Sequence, residues 1–171
     1  MRDLDGRIGE AWSGEAPNGS HVNVVLAARG SPTAAAVVGA LGAPRPGHVP
    51  FLAALEAGTI ARPVTVVVNK ATITEDRLGR LTWGAAQLGI AQGVLDAVAG
   101  GEIDAADAGE LVLLVAVWVD PGASDEAAVH AANRAATRAA IADAVSPPSS
   151  DNVRALVERR EEARNAFFGS G

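Results

Sequence analysis

The chain has 171 residues, 49% of them apolar, and a formal net charge of −6. That length suits one domain with a core of its own. The apolar share excludes a disordered chain, and the acidic balance argues against nucleic acid as a partner. Cysteine is absent, which excludes disulfides, thiol nucleophiles and cysteine-ligated metal sites. The longest apolar run, Leu111 to Val119, is too short to cross a bilayer, so no membrane partner is expected. The opening Met1-Arg2-Asp3-Leu4-Asp5 lacks an apolar stretch and does not read as a signal peptide; a cytoplasmic protein is expected. Lys70 is the only lysine among 14 basic residues, in a chain with 37 alanines and 20 valines. Arginine and alanine enrichment fits a GC-rich coding bias, and a lysine that persists against it marks a place to look for chemistry.

Taken in chain order, Ile8 to Ser13 reads as a first strand and Gly14 to Gly19 as a turn. His21 to Ala27 is a second strand. Side-chain alternation puts Val22, Val24 and Leu26 on one face and the polar pair His21 and Asn23 on the other. Ser31-Pro32 opens a helix as N-cap and first helical residue, and Gly42 stops it. Ala43 to Pro50 is an irregular loop, and Phe51 to Leu55 a short strand. The β-branched run Val64 to Val68 is a buried strand leading into Asn69-Lys70-Ala71-Thr72. If the extended backbone continues, Lys70 and Thr72 point the same way. Thr82 to Val98 has helical periodicity, with Gln87 on its apolar stripe and in need of a hydrogen-bonding partner. Asp104 to Glu110 is expected as a short helix before a central strand, Leu111 to Val119. A helix capped by Ser124-Asp125-Glu126 runs to about Val145, with Asn133 and Thr137 on one face. Pro147-Pro148 breaks it. A charged C-terminal helix over about 151–166 and a flexible tail over 167–171 complete a single domain spanning 1–171. The element mix predicts an α+β fold, a mixed sheet with helices packed on one face. His21, His48 and His130 show no metal-ligand spacing, and no metal site is expected.

Several segments together resemble the formaldehyde-activating enzyme family. They are Gly9-Glu10-Ala11, His21-Val22-Asn23, Arg29-Gly30-Ser31, Gly47 to Ala53, Pro63 to Ile73, Trp83 to Gln87, Val117-Trp118-Val119 and Asn133 to Thr137. Their order and spacing hold from about residue 7 to residue 145. The string Val68-Asn69-Lys70-Ala71-Thr72-Ile73 and the helix start Gly84-Ala85-Ala86-Gln87 are the most specific. The resemblance implies a ribosomal protein S5 domain 2-like fold, assembled as a homopentamer with active sites between subunits. It implies condensation of formaldehyde with tetrahydromethanopterin, a co-substrate, to give the methylene adduct and water, with no tightly bound cofactor. By position it assigns the catalytic role to His21 and pterin contacts to Asn23, Leu52, Lys70, Thr72 and Gln87.

The chemistry suits these residue types. An amine adds to formaldehyde, and hydroxide must then leave to give an iminium. A general acid at the leaving oxygen assists by roughly 10²–10⁴-fold, and histidine has the right intrinsic acidity. The family pattern places an aspartate where this chain has Asn23, so the resemblance leaves His21 without a carboxylate neighbour. Asn23→Asp is accordingly expected to raise activity. The competing reading is a non-catalytic or divergent paralogue that binds a pterin or another small molecule between subunits. A Schiff base between Lys70 and formaldehyde is open to the chemistry, but a binding role for Lys70 ranks ahead of it. His48 and His130 read as structural or solvent-facing.

Overall fold

A computed structural model describes residues 3–146 and 149–163. The double-proline break at Pro147-Pro148 and the tail over 167–171 lie outside the described residues. Strands β1 (Arg7–Ser13), β2 (Ser20–Ala28), β6 (Val64–Asn69) and β7 (Leu111–Val119) form the body of a sheet. The edge strand β3 (Phe51–Leu52) completes the order β1-β2-β7-β6-β3. All pairings are antiparallel except β6 with β7, which is parallel. The fold is therefore α+β with a mixed sheet, as the element mix predicts.

Alternation decides which face is buried. In β7 every odd-numbered residue from Leu111 to Val119 is buried, as are Val22, Val24 and Leu26 of β2. Helices α3 (Gln87–Ala99) and α4 (Glu126–Val145) cover this face and supply Ile90, Val94, Val129, Ala136 and Ile141 to the main core. Each of the valine and isoleucine side chains among them contributes about 1.5–3 kcal/mol of burial. The two helices approach so closely that a Cβ at Gly93 would stand 2.5 Å from the Arg134 carbonyl oxygen. Gly9 of β1 meets the α4 backbone at Ala140 in the same way. Asn133 and Thr137 are fully buried in this seam. Asn133 accepts from Ser20 Oγ (2.8 Å) and donates to the Val129 carbonyl (2.8 Å), while Arg134 clamps Asp96 of α3 at 2.6 and 2.8 Å. The matching segment Asn133 to Thr137 thus serves packing.

The helices do not all share one face. Helix α1 (Pro32–Gly39) lies on the opposite side, where Ala34 and Val37 pack with Ala27, Val66, Leu52, Val112 and Leu114. Ser31 caps it as expected, accepting from Ala34 N at 3.0 Å. Asp5 accepts from Ser31 Oγ, Ala28 N and Thr33 Oγ1, and the Ser31 bond above all holds its carboxyl below the usual range.

Other expectations are corrected. Residues 104–110 form turns rather than a helix; Asp104 Oδ1 takes the Ala106 N–H (2.9 Å), closing a local turn that competes with helix. The strand expected over Phe51 to Leu55 is split, and Ala54–Glu56 (β4) pairs with Thr59–Ile60 (β5) in a hairpin whose turn residue Gly58 has φ +81°. The helix expected from Thr82 begins earlier as α2 (Asp76–Arg80) and passes through a π-helical turn, Leu81–Ala86, before α3. The C-terminal helix expected over about 151–166 is α5, Ser150–Glu158, which ends earlier than expected; residues 164–166 lie outside the described residues. Among the described residues no helix is long and apolar enough to cross a membrane.

Candidate active site

Helix α1 covers only part of its face of the sheet. On the rest of that face stand the polar side chains of Glu10, His21, Asn23 and Lys70. The register brings them together. Glu10 is opposite Asn23 and Trp12 opposite His21 across β1 and β2, so Glu10 and His21 are diagonal neighbours. Across the next pairing His21 faces Trp118 and Asn23 faces the small Ala116. Lys70 follows directly on β6, its N–H bonded to the Val117 carbonyl at 2.7 Å. Its side chain crosses β7 and reaches β2.

There the Lys70 Nζ lies 2.8 Å from His21 Nδ1 and donates to Asn23 Oδ1, also at 2.8 Å. The other ring nitrogen, His21 Nε2, is 2.9 Å from Glu10 Oε1. A carboxylate only accepts, so Nε2 carries hydrogen and donates to Glu10. With Lys70 as an ammonium, Nδ1 accepts; with Lys70 as a free amine, Nδ1–H donates to it. One proton is thus shared between His21 Nδ1 and Lys70 Nζ, while Glu10 accepts from the opposite ring nitrogen, and the three form a Glu10–His21–Lys70 line. Burial pulls the Lys70 pKa below its ordinary value of 10.5, and the Glu10 charge opposes that shift. Trp12 and Trp118 flank the line; the Trp12 ring centroid is 6.2 Å from that of His21 and 5.5 Å from that of Trp118. The His21 side chain remains 30% exposed.

Glu10 is the residue that sequence reasoning missed. It stood within the quoted segment Gly9-Glu10-Ala11, but only the β1–β2 register shows where its carboxylate goes. The expectation that His21 lacks a carboxylate neighbour is therefore corrected: the charge comes from β1 instead of position 23.

The remaining predicted residues lie apart from this line. Strand β6 ends at Asn69, so Thr72 does not follow Lys70 across the sheet. The buried Asn69 turns the chain by donating to the carbonyls of Gly47 (2.7 Å) and Ala71 (2.6 Å). Thr72 Oγ1 instead meets His48 Nε2 at 3.0 Å, while His48 Nδ1 donates to the Asn69 carbonyl at 2.9 Å. His48 therefore holds the Thr72 hydroxyl, a structural role as expected. A depression of about 230 Å³ lined by His48, Val68 and Asn69 lies alongside. Gln87 finds the partner its position required: its amide donates to the Leu52 carbonyl at 3.2 Å. That pair stands at the β3 edge, three strand spacings from β2, roughly 14 Å. His130 bonds Gln92 between α4 and α3 at 2.7 Å, away from the site. Among the described residues no group of three or more His, Asp or Glu side chains is placed to hold a metal ion.

Comparison with known proteins gives the arrangement a context. The family model described as formaldehyde-activating enzyme matches residues 8–168. A 5,6,7,8-tetrahydromethanopterin hydro-lyase of Methanosarcina barkeri is 34% identical over 164 residues, covering 96% of this chain and 91% of that protein. The bifunctional enzyme Fae/Hps of Archaeoglobus fulgidus is 35% identical over 138 residues, 81% of this chain. Its counterpart in Methanothrix thermoacetophila is 33% identical over 134 residues, 78% of this chain. The matches span 35% and 34% of those two longer proteins, about a third of their length. With most of its length matched by the family model, and with the matching strand segments converging on one polar cluster, the chain belongs to the formaldehyde-activating enzyme family.

Proposed function

We propose that the protein condenses formaldehyde with tetrahydromethanopterin to give methylene-tetrahydromethanopterin and water. The observation that carries this reading is the Glu10–His21–Lys70 line, which keeps a transferable proton on an accessible sheet face in a member of this family. His21 serves as the general acid for loss of hydroxide. The Glu10 carboxylate accepts from Nε2 at 2.9 Å and holds the ring in place for this step. Asn23, Leu52, Lys70, Thr72 and Gln87 contact the pterin. No tightly bound cofactor is needed, because the pterin is consumed as a co-substrate.

These residues occupy three separate patches: His21, Asn23 and Lys70 at the open face, Thr72 beside His48, and Gln87 with Leu52 at the β3 edge. Such a division suits sites completed by a second copy, each patch facing a different neighbour. From the family resemblance we infer a homopentamer with sites between subunits and a ribosomal protein S5 domain 2-like fold; a cytoplasmic location is proposed with them. The decisive assay is turnover of formaldehyde with tetrahydromethanopterin, corrected for the uncatalysed condensation. The purified protein should exceed the background, and His21→Gln should lose most of that excess. A rate equal to background refutes the reading, and a monomeric mass in solution refutes the shared site.

A further inference from the structure

Resting on the condensation reading for its substrate, we propose that Lys70 is a nucleophile that captures formaldehyde as a covalent iminium, with His21 moving its proton and Glu10 positioning His21. The cluster has the order of an amine-activating triad: carboxylate, imidazole, nucleophile. Glu10 Oε1 holds one ring nitrogen at 2.9 Å and Lys70 Nζ stands 2.8 Å from the other. The same order activates hydroxyl nucleophiles in hydrolases, where the carboxylate orients the ring and stabilises its protonated form.

The partners of Nζ are the second observation. They are a ring nitrogen and the Asn23 amide oxygen, neither of them an anion. A lysine that serves only as a fixed cation is best stabilised by a carboxylate directly on its ammonium. Here the carboxylate of the line is bonded to the far side of the imidazole and not to Nζ. Burial favours the neutral amine and outweighs the opposing charge of Glu10. An ammonium has no lone pair, so this bias toward the free amine is what nucleophilic attack requires.

The steps balance. The Nζ lone pair attacks the formaldehyde carbon; a C–N bond forms, and the carbonyl π pair moves to oxygen, which takes up the proton that nitrogen loses. The result is a carbinolamine. The His21 imidazolium then protonates the hydroxyl; the C–O bond breaks, water leaves and the nitrogen lone pair closes a protonated C=N bond. One pterin amine adds to that carbon. The second displaces Lys70 as its free amine, one pterin hydrogen goes to Nζ and the other returns to His21. No oxidant or reductant enters the cycle.

The single lysine makes the test direct. The protein is incubated near pH 7 with substoichiometric formaldehyde and cyanoborohydride, without pterin, and N-methylation is located by peptide mass spectrometry. The N-terminal α-amine is the internal reference. An ordinary lysine, with a pKa of about 10.4 against about 7.7–8.0 for the α-amine, is labelled more slowly than that reference. Lys70 should be labelled faster than the α-amine. His21→Gln and Glu10→Gln should each slow Lys70 by about tenfold or more while leaving the reference unchanged. Labelling of Lys70 at or below the α-amine rate overturns the proposal, and so does undiminished labelling in His21→Gln. The parent protein alone decides the first point, so a poorly folded variant cannot obscure it. Because no pterin is present, failure here leaves the condensation reading standing; labelling without pterin turnover refutes that reading alone.

Discussion

Asn23→Asp separates the two roles open to Lys70. The substitution keeps the side chain's shape and places a carboxylate where the amide oxygen now accepts from Lys70 Nζ at 2.8 Å. At that distance a unit charge pair is worth about 1.5 kcal/mol with the dielectric constant of water. It is worth about 6 kcal/mol with the effective value of about 20 that suits pairs near a protein surface. The site is half-buried, so the ammonium gains a few kcal/mol, and each 1.36 kcal/mol is about tenfold in free-amine population. Covalent capture of formaldehyde should therefore slow by about ten- to a hundredfold. The assay is the initial rate of Lys70 methylation with formaldehyde and cyanoborohydride at fixed pH, parent against variant. Equal or faster labelling in Asn23→Asp refutes the reasoning. It would return Lys70 to the role of a binding cation and restore the expectation that an aspartate here raises activity.

Three further outcomes follow from the same structure. Because burial lowers the Lys70 pKa below 10.5, the unfolded chain binds more protons at this site between the lowered value and 10.5. The destabilising effect of the buried ammonium is fully present below that window and fades as pH rises through it. The stability advantage of Lys70→Met over the parent should thus shrink from pH 7 to pH 10 in denaturant titrations; an advantage that grows contradicts the sign. Gly93→Ala forces a methyl against the α4 backbone at Arg134. It should cost about 1–3 kcal/mol, seen as a fall in Tm of about 2–4 °C for each kcal/mol; an unchanged Tm refutes the close approach. Thr137 Oγ1 is buried with no hydrogen-bond partner among the described residues, so Thr137→Val should raise unfolding free energy by about 1 kcal/mol, and a loss of stability shows that the hydroxyl is satisfied.

Much of the fold was legible because local rules governed it. The β-branched runs, the Ser31-Pro32 start and the Leu111–Val119 strand follow from chain-local chemistry. Where two local preferences competed, the reading failed. Asp104 closes a turn that ends any helix there. The backbone after Asn69 bends because the Asn69 amide bonds carbonyls on both sides of the loop.

By itself the sequence determined that His21 and Asn23 share a strand face, that Lys70 stands at the end of a β-branched strand, and that Gln87 needs a polar partner. These are consequences of alternation and periodicity over a few residues. Only the tertiary structure decided that Glu10 reaches His21, that Lys70 crosses β7 to meet both β2 residues, and that Thr72 turns away to His48. The reason is register. A strand's own sequence sets which side chains share a face, but the offset between strands sets which of them touch, and a slip of one residue would send Glu10 to the opposite face.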